Sequence, residues 1–107
     1  MDNMGRKYEY RKEVANLVNQ EVEITLFNIK MVRPGSRLQI LSQNVELAGK
    51  IVCRHAFCNL TTSLAKKIGK KRVDVEKGKT IKARAKVVEY TNKKGQLNYS
   101  FKLYEIL

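Results

Sequence analysis

Glu21-Val22-Glu23-Ile24-Thr25-Leu26-Phe27-Asn28-Ile29-Lys30-Met31-Val32 is the stretch on which the fold turns. Val22, Ile24 and Leu26 alternate with polar neighbours, as on a half-buried β-strand; Phe27, Ile29 and Met31 then carry the apolar positions in the opposite phase. Because strand side chains have a period of two, a slip of one residue turns every later side chain to the other face. The slip between Leu26 and Phe27 predicts a β-bulge, which bends the strand so that it can belong to both sides of a closing barrel. Arg33-Pro34-Gly35-Ser36 reads as a turn, with Pro fixing φ at the second position and Gly accepting positive φ at the third.

Working outward, residues 9–19 place Tyr10, Val14, Leu17 and Val18 at the spacing of a short amphipathic helix, either plugging one end of the core or serving a partner protein. Arg37–Leu47 and Lys50–Leu60 read as two strands around Ala48-Gly49. Thr61, Thr62 and Ser63 can cap a helix of about two turns that Gly69 stops. After the basic connector Lys70-Lys71-Arg72 and a Lys77-Gly78-Lys79 turn, Ile81, Ala83, Ala85 and Val87 alternate with Lys82, Arg84, Lys86 and Val88 in a strand over residues 80–90. A hairpin loop over residues 91–96 leads to a last strand with Leu97, Tyr99, Phe101 and Leu103 on one face.

The order helix, three strands, short helix, two strands predicts a mainly β protein. It is that of a five-stranded OB-fold barrel with a short helix between strands 3 and 4 and an extra N-terminal helix. Residues 1–20 are then a helical extension, and residues 21–107 the barrel. An SH3-like barrel is the alternative, and it would lack the helix at residues 62–69.

The 107 residues suffice for one core. They hold 22 Lys and Arg against 10 Asp and Glu, a net charge of +12. The first 47 residues carry a surplus of one positive charge and the remainder a surplus of eleven. Such self-repulsion destabilises a compact state, and a polyanionic partner, nucleic acid first of all, is a physical reason to keep it.

Other classes lack their parts. His55 is the only histidine, and no carboxylate or hydroxyl stands at a recognisable catalytic spacing, so an enzyme is not expected. Gly69-Lys70-Lys71 lacks the remaining residues of a phosphate loop. Cys53 and Cys58, five apart on a strand, should point to opposite faces and cannot share a metal, so they are expected to be reduced thiols. No cofactor, metal or small-molecule substrate is expected. No apolar run reaches membrane-spanning length, and Met1-Asp2-Asn3-Met4-Gly5 lacks a signal peptide's apolar core, so a cytoplasmic location is the expectation.

Lys82, Arg84 and Lys86 project from one strand face at a spacing of roughly 6.6 Å, which suits either phosphate tracking or a solvated edge. Arg33 and Arg37 lie in the loop after strand 1, and Lys93 and Lys94 in the loop after strand 4; in an OB barrel these loops converge on one ligand cleft. Lys70, Lys71 and Arg72 in the connector and Arg54 in strand 3 complete the basic candidates. For base stacking the candidates are Tyr90, Phe57, His55 and Tyr104; Phe57 and His55 share a face of strand 3 that the sequence leaves open between core and solvent.

Gly78, Ile81, Ala85, Val87 and Tyr90, within Gly78-Lys79-Thr80-Ile81-Lys82-Ala83-Arg84-Ala85-Lys86-Val87-Val88-Glu89-Tyr90, resemble a pattern of small OB-fold proteins of bacterial and phage mobile elements. The likeness loosely covers residues 21–107. It implies single-stranded DNA binding, or service as an accessory subunit of a replication polymerase, primase or helicase. Two other readings stay open: a protein-interaction subunit with little DNA binding of its own, and an RNA-binding or ribosome-associated barrel.

Overall fold

A computed structural model describes residues 14–33, 37–91, 94–95 and 97–107. The strands are β1 (Glu21–Leu26), β2 (Lys30–Val32), β3 (Gln39–Leu47), β4 (Lys50–Leu60), β5 (Ile81–Thr91) and β6 (Leu97–Ile106), with helix α1 (Thr62–Gly69) between β4 and β5. β1 and β2 are two halves of one bent strand, so six segments fill five barrel positions. The order β1-β5-β6-β4-β3-β2 closes on itself because the end of β1 also pairs with β3, Leu26 opposite Val45. Every pairing is antiparallel except β4 with β6, where Asn59 lies opposite Lys102. This mainly β closed barrel, with its helix between the third and fourth barrel strands, is consistent with the OB fold.

The bend falls where the apolar phase slips. Asn28 adopts a left-handed φ of 49°, which an Asn tolerates better than most side chains. The Phe27 amide donates to Ser42 Oγ at 3.0 Å, the Ser42 hydroxyl donates to the Asn44 carbonyl at 2.5 Å, and the Gln43 amide donates to the Phe27 carbonyl at 2.9 Å. Ser42 is fully buried, the one polar side chain so buried among the described residues. Past the bend, the Ile29 amide donates to the Lys79 carbonyl (3.1 Å) and its carbonyl accepts from the Gly78 amide (2.8 Å). Gly78, at φ 87°, supplies the positive dihedral that this turn requires.

The core gathers Ile24, Leu26, Ile29, Ile40, Val45, Val87, Phe101 and Leu103, with the buried Ala83 of β5 placed opposite Ile24 of β1. Thr61 caps α1 by accepting the Leu64 amide at 3.2 Å, and Leu64 closes the barrel end, as the capping residues predict. Of the helix expected over residues 9–19, residues 9–13 lie outside the described residues, and of the rest only Val14 and Ala15 are helical before the chain turns, Asn19 taking a left-handed φ of 68°. From Val14 onward, Val14 is buried in the core, Val18 bridges to Val87, and the Asn19 amide donates to the Val87 carbonyl at 2.8 Å.

The cysteines correct the expectation of opposite faces, since Cys53 and Cys58 are both buried. Two irregularities in β4 reset its phase. The pairing jumps from Val45 opposite Cys53 to Glu46 opposite Ile51, which leaves Val52 as an extra residue, and His55 takes a left-handed φ of 57°. Among the described residues no cluster of three His, Cys, Asp or Glu is placed to hold a metal.

Replacing Ser42 by Ala leaves the part-buried Phe27 amide with only its longer contact to the Asn44 carbonyl, at 3.4 Å. The variant is expected to lose about 0.5–1.5 kcal/mol of unfolding free energy in urea titration, and an unchanged midpoint would show that the corner does not depend on this hydroxyl.

Candidate nucleic-acid interface

The bend in β1–β2 shapes the outer face of the neighbouring strands. In β3 two outward residues, Gln43 and Asn44, separate the buried Ser42 and Val45. β4 answers with two outward residues, Arg54 and His55, between the buried Cys53 and Ala56. His55 and Phe57 are therefore both exposed, Phe57 at 47%, and their rings meet edge to face with centroids 5.8 Å apart. The question that the sequence leaves open is thus decided in favour of solvent.

Cross-strand register builds a surface around this pair. Leu41 of β3 lies opposite Phe57, and Lys30 of β2 lies opposite Leu41. On the other side the Ser100 hydroxyl of β6 donates to the Phe57 carbonyl at 3.0 Å, and Val88 of β5 lies opposite Ser100. Tyr90, 41% exposed, stands two residues further along β5. One pleat beyond Phe57, the Gln39 side-chain amide donates to Asn59 Oδ1 at 2.7 Å, and Asn59 lies opposite the exposed Lys102. A face that mixes exposed rings with amides and cations can stack bases and contact phosphates without reading sequence.

The flanking loops carry the cations assigned to them where the structure describes them. Arg33 and Arg37 are exposed on either side of residues 34–36, and Lys94 is exposed in the β5–β6 loop. Lys93 lies outside the described residues. Arg37 reaches a cleft of about 390 Å³ that Asn59, Leu60, Thr62, Ala65 and Lys102 also line.

The alternating row on β5 has different surroundings. Lys82, Arg84 and Lys86 all point outward, as their spacing predicts. Register sets Glu23 and Glu105 on either side of Arg84, and Glu21 beside Lys86. Arg84 pairs with Glu105 at 3.4 Å, and Glu21 accepts the Tyr104 hydroxyl at 3.1 Å. Burial and the Glu21 carboxylate both raise the Tyr104 phenol above its ordinary pKa, so Tyr104 stays a neutral donor in this strand-to-strand link. Lys70, Lys71 and Arg72 sit elsewhere, in the exposed turn that ends α1.

Lys30 and Lys102 were not legible as candidates. Lys102 reaches the β4 face only through the parallel β4–β6 pairing, and Lys30 only through the bend that sends β2 to β3. One local signal was available: Leu47–Val73 holds no Asp or Glu, so β4 and α1 form an acid-free stretch.

No protein-family model and no curated protein matches the chain. Among solved structures it is similar to the mitochondrial single-stranded DNA-binding protein of S. cerevisiae, Rim1, at 12% identity. That likeness covers 82% of this chain and 94% of that one, with a TM-score of 0.44.

The chain has no tryptophan, so Phe57→Trp introduces a single reporter on the β4 face. Its emission should be red-shifted and open to acrylamide quenching in the native state; a blue-shifted, protected emission would mean that position 57 is covered.

Proposed function

We propose that this chain is an OB-fold protein that binds single-stranded nucleic acid, DNA in preference to RNA, on the outer face of β3 and β4. The observation that carries the reading is the exposed His55–Phe57 pair on an acid-free strand, bordered by the basic residues of two loops. An isolated exposed ring would mean little, because folded surfaces always keep some apolar atoms. Here the ring adjoins amides and cations at the positions where an OB barrel holds an oligonucleotide.

In this mechanism bases stack on Phe57 and His55, while Arg33, Arg37, Arg54, Lys94 and Lys102 contact phosphates. Stacking supplies about 1–3 kcal/mol per base whatever the base, and the cations add an electrostatic attraction that is equally indifferent to sequence. The protein works by holding its ligand and catalyses nothing. A role in replicating a mobile element, as accessory subunit to a polymerase, primase or helicase, rests on the resemblance carried by residues 78–90, as does the preference for DNA.

Titration with a labelled oligothymidylate tests the binding. With about five phosphates engaged, log affinity should fall with log salt at a slope near ~ −3.5. Phe57→Ala should weaken binding roughly 5- to 150-fold, the equivalent of one lost stack, with its melting temperature little changed. A slope near zero would remove the electrostatic mechanism, and unchanged affinity in the Phe57 variant would remove the platform. An RNA of matching sequence that binds more tightly than the DNA would reverse the stated preference. Retention of a replication enzyme at high salt beside weak DNA binding would point to a protein-interaction subunit instead.

A further inference from the structure

We infer that the bound strand does not end at the β4 platform but continues over the neighbouring cleft onto the cations at the C-terminal end of α1, which form the second half of the binding path. This rests on the proposed binding at β4 and extends it to a surface on a different element.

Continuity comes first. The cleft is lined by Asn59, two residues beyond Phe57 on β4, and by Ala65, the residue before Lys66 on α1, together with Arg37 and Lys102. A strand leaving Phe57 along β4 therefore meets two cations and then the helix. No carboxylate interrupts that route along the chain, since Leu47–Val73 carries seven basic residues and no acidic one.

The α1 cations are otherwise unemployed. Lys66, Lys67, Lys70, Lys71 and Arg72 are all exposed, and among the described residues none of them forms an ion pair, whereas Lys79 pairs with Asp74 and Arg84 with Glu105. Cations in the last turn of a helix do offset its negative end, but that effect fades within one turn. Lys66 and Lys67 fill that role from the last turn and Lys70 from the C-cap, and Lys71 and Arg72 follow it. Crowding five like charges into seven residues opposes folding unless something anionic lies across them.

These charges also stand on a fixed backbone. The Lys70 amide donates to the Lys66 carbonyl (3.0 Å), the Lys71 amide to that of Ile68 (2.9 Å) and the Arg72 amide to that of Lys67 (2.9 Å). Lys71 takes a left-handed φ of 58° to close this turn. From Arg54 to Asn59 the platform is roughly 16 Å long at strand rise, and α1 adds about 12 Å at helix rise. At a phosphate step of roughly 6.6 Å the platform alone takes about two to three nucleotides and the combined path about four to five, the lower part of the roughly 4–16 that OB folds occupy.

The test is a length series of oligothymidylates of about 3, 6 and 12 residues, the shortest confined to the β4 platform and the longer two covering the whole path, against three proteins. These are the natural chain, a variant with Lys66, Lys67, Lys70 and Lys71 all changed to Gln, and its counterpart with the same four changed to Arg. In the natural chain the 12-mer should bind more than tenfold tighter than the 3-mer, with most of the gain reached by the 6-mer. The Gln variant should bind the 3-mer as before but lose most of the gain with length, its 12-mer salt slope shallower by about 2–3, from roughly 0.7 per lost phosphate contact. The Arg variant should keep the gain, which separates charge from any harm to the helix. A natural chain whose affinity is already saturated at the 3-mer, or a folded Gln variant with its length dependence intact, overturns the extended path while leaving β4 binding in place. Failure of the natural chain to bind any length would overturn both.

Discussion

A closed barrel of this kind requires one strand to leave one set of neighbours and join another without stranding its backbone polar groups in the interior. The Phe27–Ser42 contact meets that requirement. Where β1 stops pairing with β3 and β2 has not yet begun, the Phe27 amide keeps from the ladder only a long contact to the Asn44 carbonyl, at 3.4 Å, and an amide so poorly paired inside a fold is costly. The Ser42 side chain accepts it, and the Phe27 carbonyl holds the Gln43 amide from the same strand. The apolar phase can then invert, so that Ile24 and Leu26 before the bend and Ile29 after it all enter one core.

The candidate site is a consequence of that corner. Because β3 turns Ser42 and Val45 inward with two outward residues between them, β4 must make the same adjustment, and it does so at Arg54 and His55. His55 adopts a left-handed backbone conformation that histidine visits more readily than most non-glycine residues, though still uncommonly. A regular β4 would hide Arg54 in the core and expose Cys53. The adjustment instead places a cation beside two exposed rings and moves both thiols inside. Barrel closure and ligand face are thus set by one irregularity shared between two strands.

This also explains which parts of the molecule could be read from the chain. The phase slip at Leu26–Phe27, the Thr61 cap of α1, and the alternation of Ile81, Ala83, Ala85 and Val87 are local signals, and each is realised in place, whereas the expected stop at Gly69 is not: α1 runs through Gly69, Lys70 caps it and Lys71 takes the left-handed φ. The phase of β4 is not local. It depends on what β3 does at Ser42, and that depends on a bend fifteen residues earlier; a histidine also gives no hint of a positive φ as a glycine would. The exposure of His55 and Phe57 and the burial of both cysteines were therefore out of reach. So were Lys30 and Lys102, whose place beside the site is a matter of register alone.

Register separates the basic residues into two populations that the net charge merges. On β5, Lys86 and Arg84 face Glu21, Glu23 and Glu105 from the flanking strands. Cross-strand pairs of that kind contribute roughly 0.2–1 kcal/mol each to a sheet, so this part of the row serves the barrel at least as much as a ligand. Around β4 and α1 no acidic residue occurs within the chain segment itself, and among the described residues Lys66, Lys67, Lys70, Lys71 and Arg72 form no ion pair. A fold that places its carboxylates so as to neutralise one face while leaving another bare concentrates its positive potential on the second. In the proposed binding mode, that potential draws a polyanion toward the face that carries the exposed rings.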